Sequence, residues 1–427
     1  MLILAQYWRS TAVWLVIIGL AGFPAVAAEE VVETLAEQLR QGQLAEAERF
    51  LQQHLVADPE HAEARFALGV VHLFSAVERL GQDQYRYGAM GGTVRNLPVL
   101  RVPVPVNPDP EPVTYDQVRQ LFANFQAGLS RAEAELAKVD LGSDVKLPID
   151  LAAIRLDLNG DGQAAADERL LAVFAAVTQR RPVAALDSLP VNFDAGDVLW
   201  LRGYCHFLMG FCDLVLAYDH QPLFDHTGQL LYPRHRSTAA VTEPLDTAPR
   251  DGFERHVLDL IAAIHLMDFP LREPRRMESA RQHFLTMIRT SRESWKLILA
   301  ETDNDREWLP NPNQTGALGI PVTGPLIDGW HDVLVEMEDL LEGRKLVPFW
   351  RDYSGWFGSV AKIPEQGRGV NLKRFFSEPG DFDLVMMLQG TAALPYVEQG
   401  TLSRPETWRN LTRVFGGQFF GFAVWFN

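Results

Sequence analysis

Apolar residues recur at three- and four-residue intervals along most of the chain, the spacing that lines one face of a helix. This pattern predicts helices from Val31 to about Leu80, over Thr114 to Asp140, Phe253 to Asp268, Pro274 to Glu301, Ile327 to Glu342, Asp381 to Gln389 and Arg404 to Val414. Between Asp194 and Asp219 the apolar positions run nearly all round, which predicts a central, buried helix. Gly203 and Gly210 lie two turns apart in it and would let a neighbouring helix approach. Arg202, His206 and Asp213 would be costly at membrane depth, so burial in protein is expected rather than a bilayer crossing. The helical period fails in few places. Pro and Val alternate near residues 98–112, which forces an extended excursion, and Leu346 to Trp350 reads as a short strand. Gly367, Gly369, Pro379 and Gly380 punctuate the later helices. The fold expected is mainly α: a helical-hairpin array with one helix–loop–helix and few short strands.

One polar interruption carries chemistry. Residues 157–168 place Asp157, Asn159, Asp161, Gln163, Ala165 and Glu168 at the first, third, fifth, seventh, ninth and twelfth positions. Those are the places from which a twelve-residue loop supplies oxygens to calcium: side chains at one, three and five, a carbonyl at seven, often a water at nine, a bidentate carboxylate at twelve. Gly162 stands at the sixth place, where the chain turns sharply into a φ that a Cβ resists. The segment resembles the EF-hand family. That resemblance implies an entering helix over Leu147 to Leu156, an exit helix over Ala165 to Phe174, and calcium held by Asp157, Asn159, Asp161, the Gln163 carbonyl and Glu168. At the eighth place, where the family carries a branched apolar residue that pairs with a second loop, this chain has Ala164. The alternative is a polar turn that binds nothing.

A second resemblance covers Val31 to Leu80. Ala47, Leu51 and Pro59 followed by Arg65, Leu68, Gly69 and His72 resemble tetratricopeptide repeats, with Arg65 and His72 where the repeat has aromatic residues. Only about one and a half repeats are present, so these helices are expected to pack on the rest of the chain.

The start of the chain reads as an export signal: Arg9, an apolar run from Thr11 to Phe23, then Pro24 and the small-x-small pattern Ala25 to Ala27. The run is shorter than the roughly 20 residues a bilayer span needs, so cleavage is expected to leave no integral membrane segment. The expected divisions are 1–27 as signal peptide, 28–140 as the repeat-like region with its excursion at 98–112, 141–180 as the calcium motif and 181–427 as a further helical domain. The net charge of −16 argues against a nucleic-acid partner, and a protein partner is expected. The two cysteines, Cys205 and Cys212, are seven residues apart on one predicted helix. Helical rise puts their Cα atoms about 10 Å apart, beyond the roughly 7 Å that a disulfide spans.

No nucleophile elbow, zinc-protease helix, phosphate loop or dinucleotide fingerprint occurs. The competing expectation is a secreted hydrolase with a structural calcium and active groups around His220, Asp225 and His226, with His235 beyond. Glu301, Asp303, Asp305 and Glu307 form a second acidic cluster, without a turn glycine or a twelfth-position carboxylate.

Overall fold

In the computed structural model the described residues are 23–90, 101–178, 186–237, 253–353 and 363–404. The expectations for residues 1–22 and for the helix continuing from Arg404 to Val414 fall outside them. Among the described residues the chain is mainly helical, with few short strands.

The region from Val31 to Leu80 forms parts of three helices, α1 (Phe23–Gln41), α2 (Leu44–Ala57) and α3 (Ala62–Arg86). Gly42, at φ +69°, makes the turn between the first two. His61 caps α3, its Nδ1 accepting from the Ala64 amide. Residues 101–112 form neither an α-helix nor a strand, and Val102 among them is buried. Then α4 (Tyr115–Leu136) opens on a capping box between Thr114 and Gln117.

Next come β1 (Leu147–Asp150), α5 (Leu170–Thr178) and β2 (Pro190–Phe193), with β1 and β2 antiparallel and Leu147 opposite Phe193. β2 runs into α6 (Ala195–Ala217), whose N-cap Asp194 accepts from the amides of Gly196 and Asp197. The segment after α6 that carries Asp225 and His226 contains α7 (Gln221–Thr227). α8 (Phe253–His265), β3 (Asp268–Phe269) and α9 (Arg275–Ala300) follow, then α10 (Gly324–Leu341). The expected strand at 346–350 is shorter: β4 (Val347–Pro348) passes at once into α11 (Trp350–Tyr353). The chain continues through β5 (Gln366–Val370), α12 (Leu372–Ser377), β6 (Phe382–Asp383), α13 (Leu384–Gln389) and β7 (Val397–Thr401). β6 pairs with β3, and β5 lies between β4 and β7.

α6 is the centre of the packing, set against α9 and α4. Phe284 of α9 sits over Gly210, where a Cβ would lie 2.8 Å from its ring. α6 is long and apolar enough to cross a membrane, and its polar groups meet protein partners here. Arg202 bonds Glu133 of α4 at 3.0 Å, and Asp213 accepts from Arg276 of α9 at 2.8 Å and from Gln126 of α4 at 2.7 Å. His206 Nδ1 lies 2.8 Å from His283 Nδ1, which ties α6 to α9. Cys205 and Cys212 are buried free thiols in the same helix, and burial pushes the Cys212 thiol up to about 12. One continuous cluster of buried apolar side chains runs from Val31 through Leu158 to Phe376, so the segments divided by sequence share a core.

Asp213 is 2% exposed. Asp213→Ala removes the buried acceptor of Arg276 and Gln126, while Arg276 keeps its pair with Glu273, and is expected to cost about 1–3 kcal/mol. Arg86→Ala, which breaks an exposed pair with Glu111, should cost within about 1 kcal/mol. Chemical denaturation of the two variants beside wild type checks the contrast.

Candidate functional site

The loop 157–168 hangs between β1 and β2, and its entry differs from expectation. Leu147 to Leu156 is no helix. Leu147 and Ile149 are buried while Pro148 is exposed, the alternation of a strand. Its partner, Pro190 to Phe193, lies far along the chain, beyond the reach of a local pattern. A turn at residues 151–153 then leads to the loop. The exit differs too, since α5 begins at Leu170 and not at Ala165. The Glu168 carbonyl accepts from Leu156 at 2.8 Å and the Ile154 carbonyl from Leu170 at 3.0 Å. These bonds zip the two ends of the loop together and delay the helix until they are made.

Inside the loop, side-chain oxygens at the expected positions gather the backbone amides. Asp157 Oδ1 accepts from Gly160 at 2.8 Å and Asp161 at 3.2 Å, and Oδ2 accepts from Gly162 at 2.9 Å. Asn159 Oδ1 takes the Asp161 amide and Asp161 Oδ1 the Gln163 amide, both at 2.8 Å. Gly162 adopts φ +85°, the turn its place required. Glu168 comes back from the far end. It is 2% exposed, with Oε1 accepting from Leu158 at 3.0 Å and Asn159 at 3.2 Å, and Oε2 accepting from Ala165 at 2.8 Å. Burial pushes its carboxyl above the usual range, against the pull of those amides.

Two side chains of α3 hold the loop from outside, and no sequence motif marked them. Glu78 accepts from the Asp157 amide at 2.8 Å, and Gln82 donates to the Asp157 carbonyl at 2.9 Å. Burial, with a smaller push from Asp157, raises the Glu78 carboxyl to about 7. Between them Gly81 admits Leu158, which is fully buried; a Cβ at 81 would lie 2.7 Å from Leu158 Cδ2. On the other flank, Ala164 lies against Gly42 in the α1–α2 turn, and a Cβ at 42 would collide with it.

The acidic cluster after α9 is partly gathered, and by a residue the sequence did not join to it. Glu301 and Glu307 come together with Asp194, their oxygens within 4.8 Å of one another, the one such trio among the described residues. Asp157, Asp161 and Glu168 are spread more widely around their amides. Asp303 instead pairs with Lys146 at 2.9 Å. Burial and the Asp194 carboxylate push Glu301 up to about 8, and burial raises Asp197 and Glu307.

The histidine loop goes separate ways. His220 packs its ring on Phe269 at 4.3 Å, His226 Nδ1 lies 3.1 Å from the Pro222 carbonyl, and His235 sits edge-on to Phe224.

Glu301 holds its proton far above the unfolded value of 4.5. The stability that this proton supplies is complete below pH 4.5 and is lost as pH rises through about 8. Glu301→Gln is therefore expected to melt like wild type in acid and above it beyond pH 8, read in thermal melts with a chelator present. Superimposable pH profiles would refute the assignment. No protein-family model matches the chain, and neither a curated protein nor a solved structure does.

Proposed function

We propose that this is an exported, calcium-binding helical scaffold for a protein partner, with calcium held in the loop 157–168. The ligands are Asp157, Asn159, Asp161, the Gln163 carbonyl and Glu168. One observation carries the reading: Glu168, the twelfth-position carboxylate, is almost fully buried beneath the loop and its hydrogen bonds all come from backbone amides. A buried carboxylate with Asp157 and Glu78 beside it lacks a compensating charge, and a dication supplies one.

The donor set fits a hard cation. It consists of oxygens only; Asp157 Oδ2 and Glu168 Oε2 each accept a single amide and keep a second lone pair, whereas Asp157 Oδ1 and Glu168 Oε1 each accept two. Calcium supplies two positive charges that tie the first and twelfth positions together. The chain's own residues do the rest. Asp157 winds the loop through three amides, Gly162 turns it, and Glu168 closes it from below. An affinity on the order of 10⁻⁴ to 10⁻³ M would fill such a loop in periplasmic or extracellular space, the destinations that fit reading residues 1–27 as an export signal.

Calorimetric titration of the protein lacking residues 1–27 is expected to show saturable calcium binding that Asp157→Ala and Glu168→Ala abolish. Calcium at a hundred times Kd should stabilise wild type by about 2.7 kcal/mol, seen as a rise in melting temperature. Wild type without heat or thermal shift would reduce the loop to a turn.

A further inference from the structure

An isolated calcium loop of this kind has one side open where a second loop would pair, and here that side is filled by helices. Ala164, at the eighth position, lies so close to Gly42 that neither residue tolerates a larger side chain. The backbone beside it is bonded to the same turn, the Arg155 amide donating to the Leu39 carbonyl at 3.1 Å. On the opposite side, α3 grips the first ligand by both faces of its backbone, Glu78 on the amide and Gln82 on the carbonyl of Asp157. Leu158 closes the contact by filling the space over Gly81.

From these contacts we infer that the turn between α1 and α2, together with α3, takes the place of the missing second loop, so that calcium latches the N-terminal helices onto the body of the protein. Gln82, Glu78 and Gly42 are positioning residues for the calcium site. The inference rests on the calcium reading above. Its physical content is reciprocity: if the ion tightens the loop only when Asp157 is held by α3, then whatever loosens α3 weakens the ion by the same factor. Glu78 and Gln82 reach no ligand oxygen, yet they fix the peptide from which the first ligand projects, as outer partners of metal ligands commonly do.

The test joins two measurements on the protein lacking residues 1–27. Hydrogen exchange, with and without calcium, is expected to show protection in 157–168 and also in 39–44 and around Gln82. Calorimetry is expected to give a calcium affinity about tenfold weaker in Gln82→Ala and in Gly42→Ala, although neither residue is a ligand. Melts in chelator separate positioning from plain stability: a merely structural role would lower the chelated melting temperature and leave the affinity alone. Wild-type binding with protection confined to 157–168, and wild-type affinity in both variants, would overturn the latch and leave the calcium site standing. Absence of binding in wild type would instead overturn the calcium reading, and the latch with it.

Discussion

A helix that is apolar nearly all round and still carries Arg202, His206 and Asp213 can leave water only where each of those groups finds a partner. α4 supplies Glu133 and Gln126, and α9 supplies Arg276 and His283. The centroids of His206 and His283 are 5.1 Å apart and their Nδ1 atoms 2.8 Å, so the nitrogens face each other almost on the line of centres. That is the geometry of one shared proton rather than of two ligands converging on a metal. These contacts fix α6 between its neighbours, and much of the rest follows from its position. β2 runs directly into the Asp194 cap, β1 is registered on β2, and the loop 157–168 is slung between the two.

Acidic groups are concentrated at both ends of this arrangement. Asp194, Asp197, Glu301 and Glu307 crowd the start of α6, and Glu78, Asp157 and Glu168 crowd the loop. At the start of α6, burial pushes Glu301 up to about 8 and raises Asp197, while Asp194 accepts from helix amides. In the loop burial likewise raises Glu78 and Glu168, and the backbone amides around Asp157 and Glu168 pull the other way. Such a ring of amides organises oxygens without supplying net charge.

The small side chain of Ala164 has a steric reason in the fold. A branched side chain there would run into the α1–α2 turn, where Gly42 leaves room for little more than a methyl group. The same turn and α3 occupy the flanks of the loop.

Local pattern determined the mainly helical character, α6 as the packing centre, and the loop's winding, because helical periodicity and Asx-type turns are written in near neighbours. Asp157, Asn159, Asp161, Gly162 and Glu168 take up their places through contacts within twelve residues. What enters the loop was not legible: β1 is a strand only because β2 pairs with it across a long excursion, and alone Leu147 to Leu156 satisfies a helical pattern equally well. Glu78 and Gln82 were invisible for the same reason, as unremarkable polar positions on an amphipathic helix until α3 is laid against the loop. So was the joining of Asp194 to Glu301 and Glu307, which the packing of α6 on α9 brings about. Spacing along the chain encodes groups that one turn of backbone can bring together, whereas groups on different elements meet only through the burial of shared apolar surface, and that is decided by the tertiary structure.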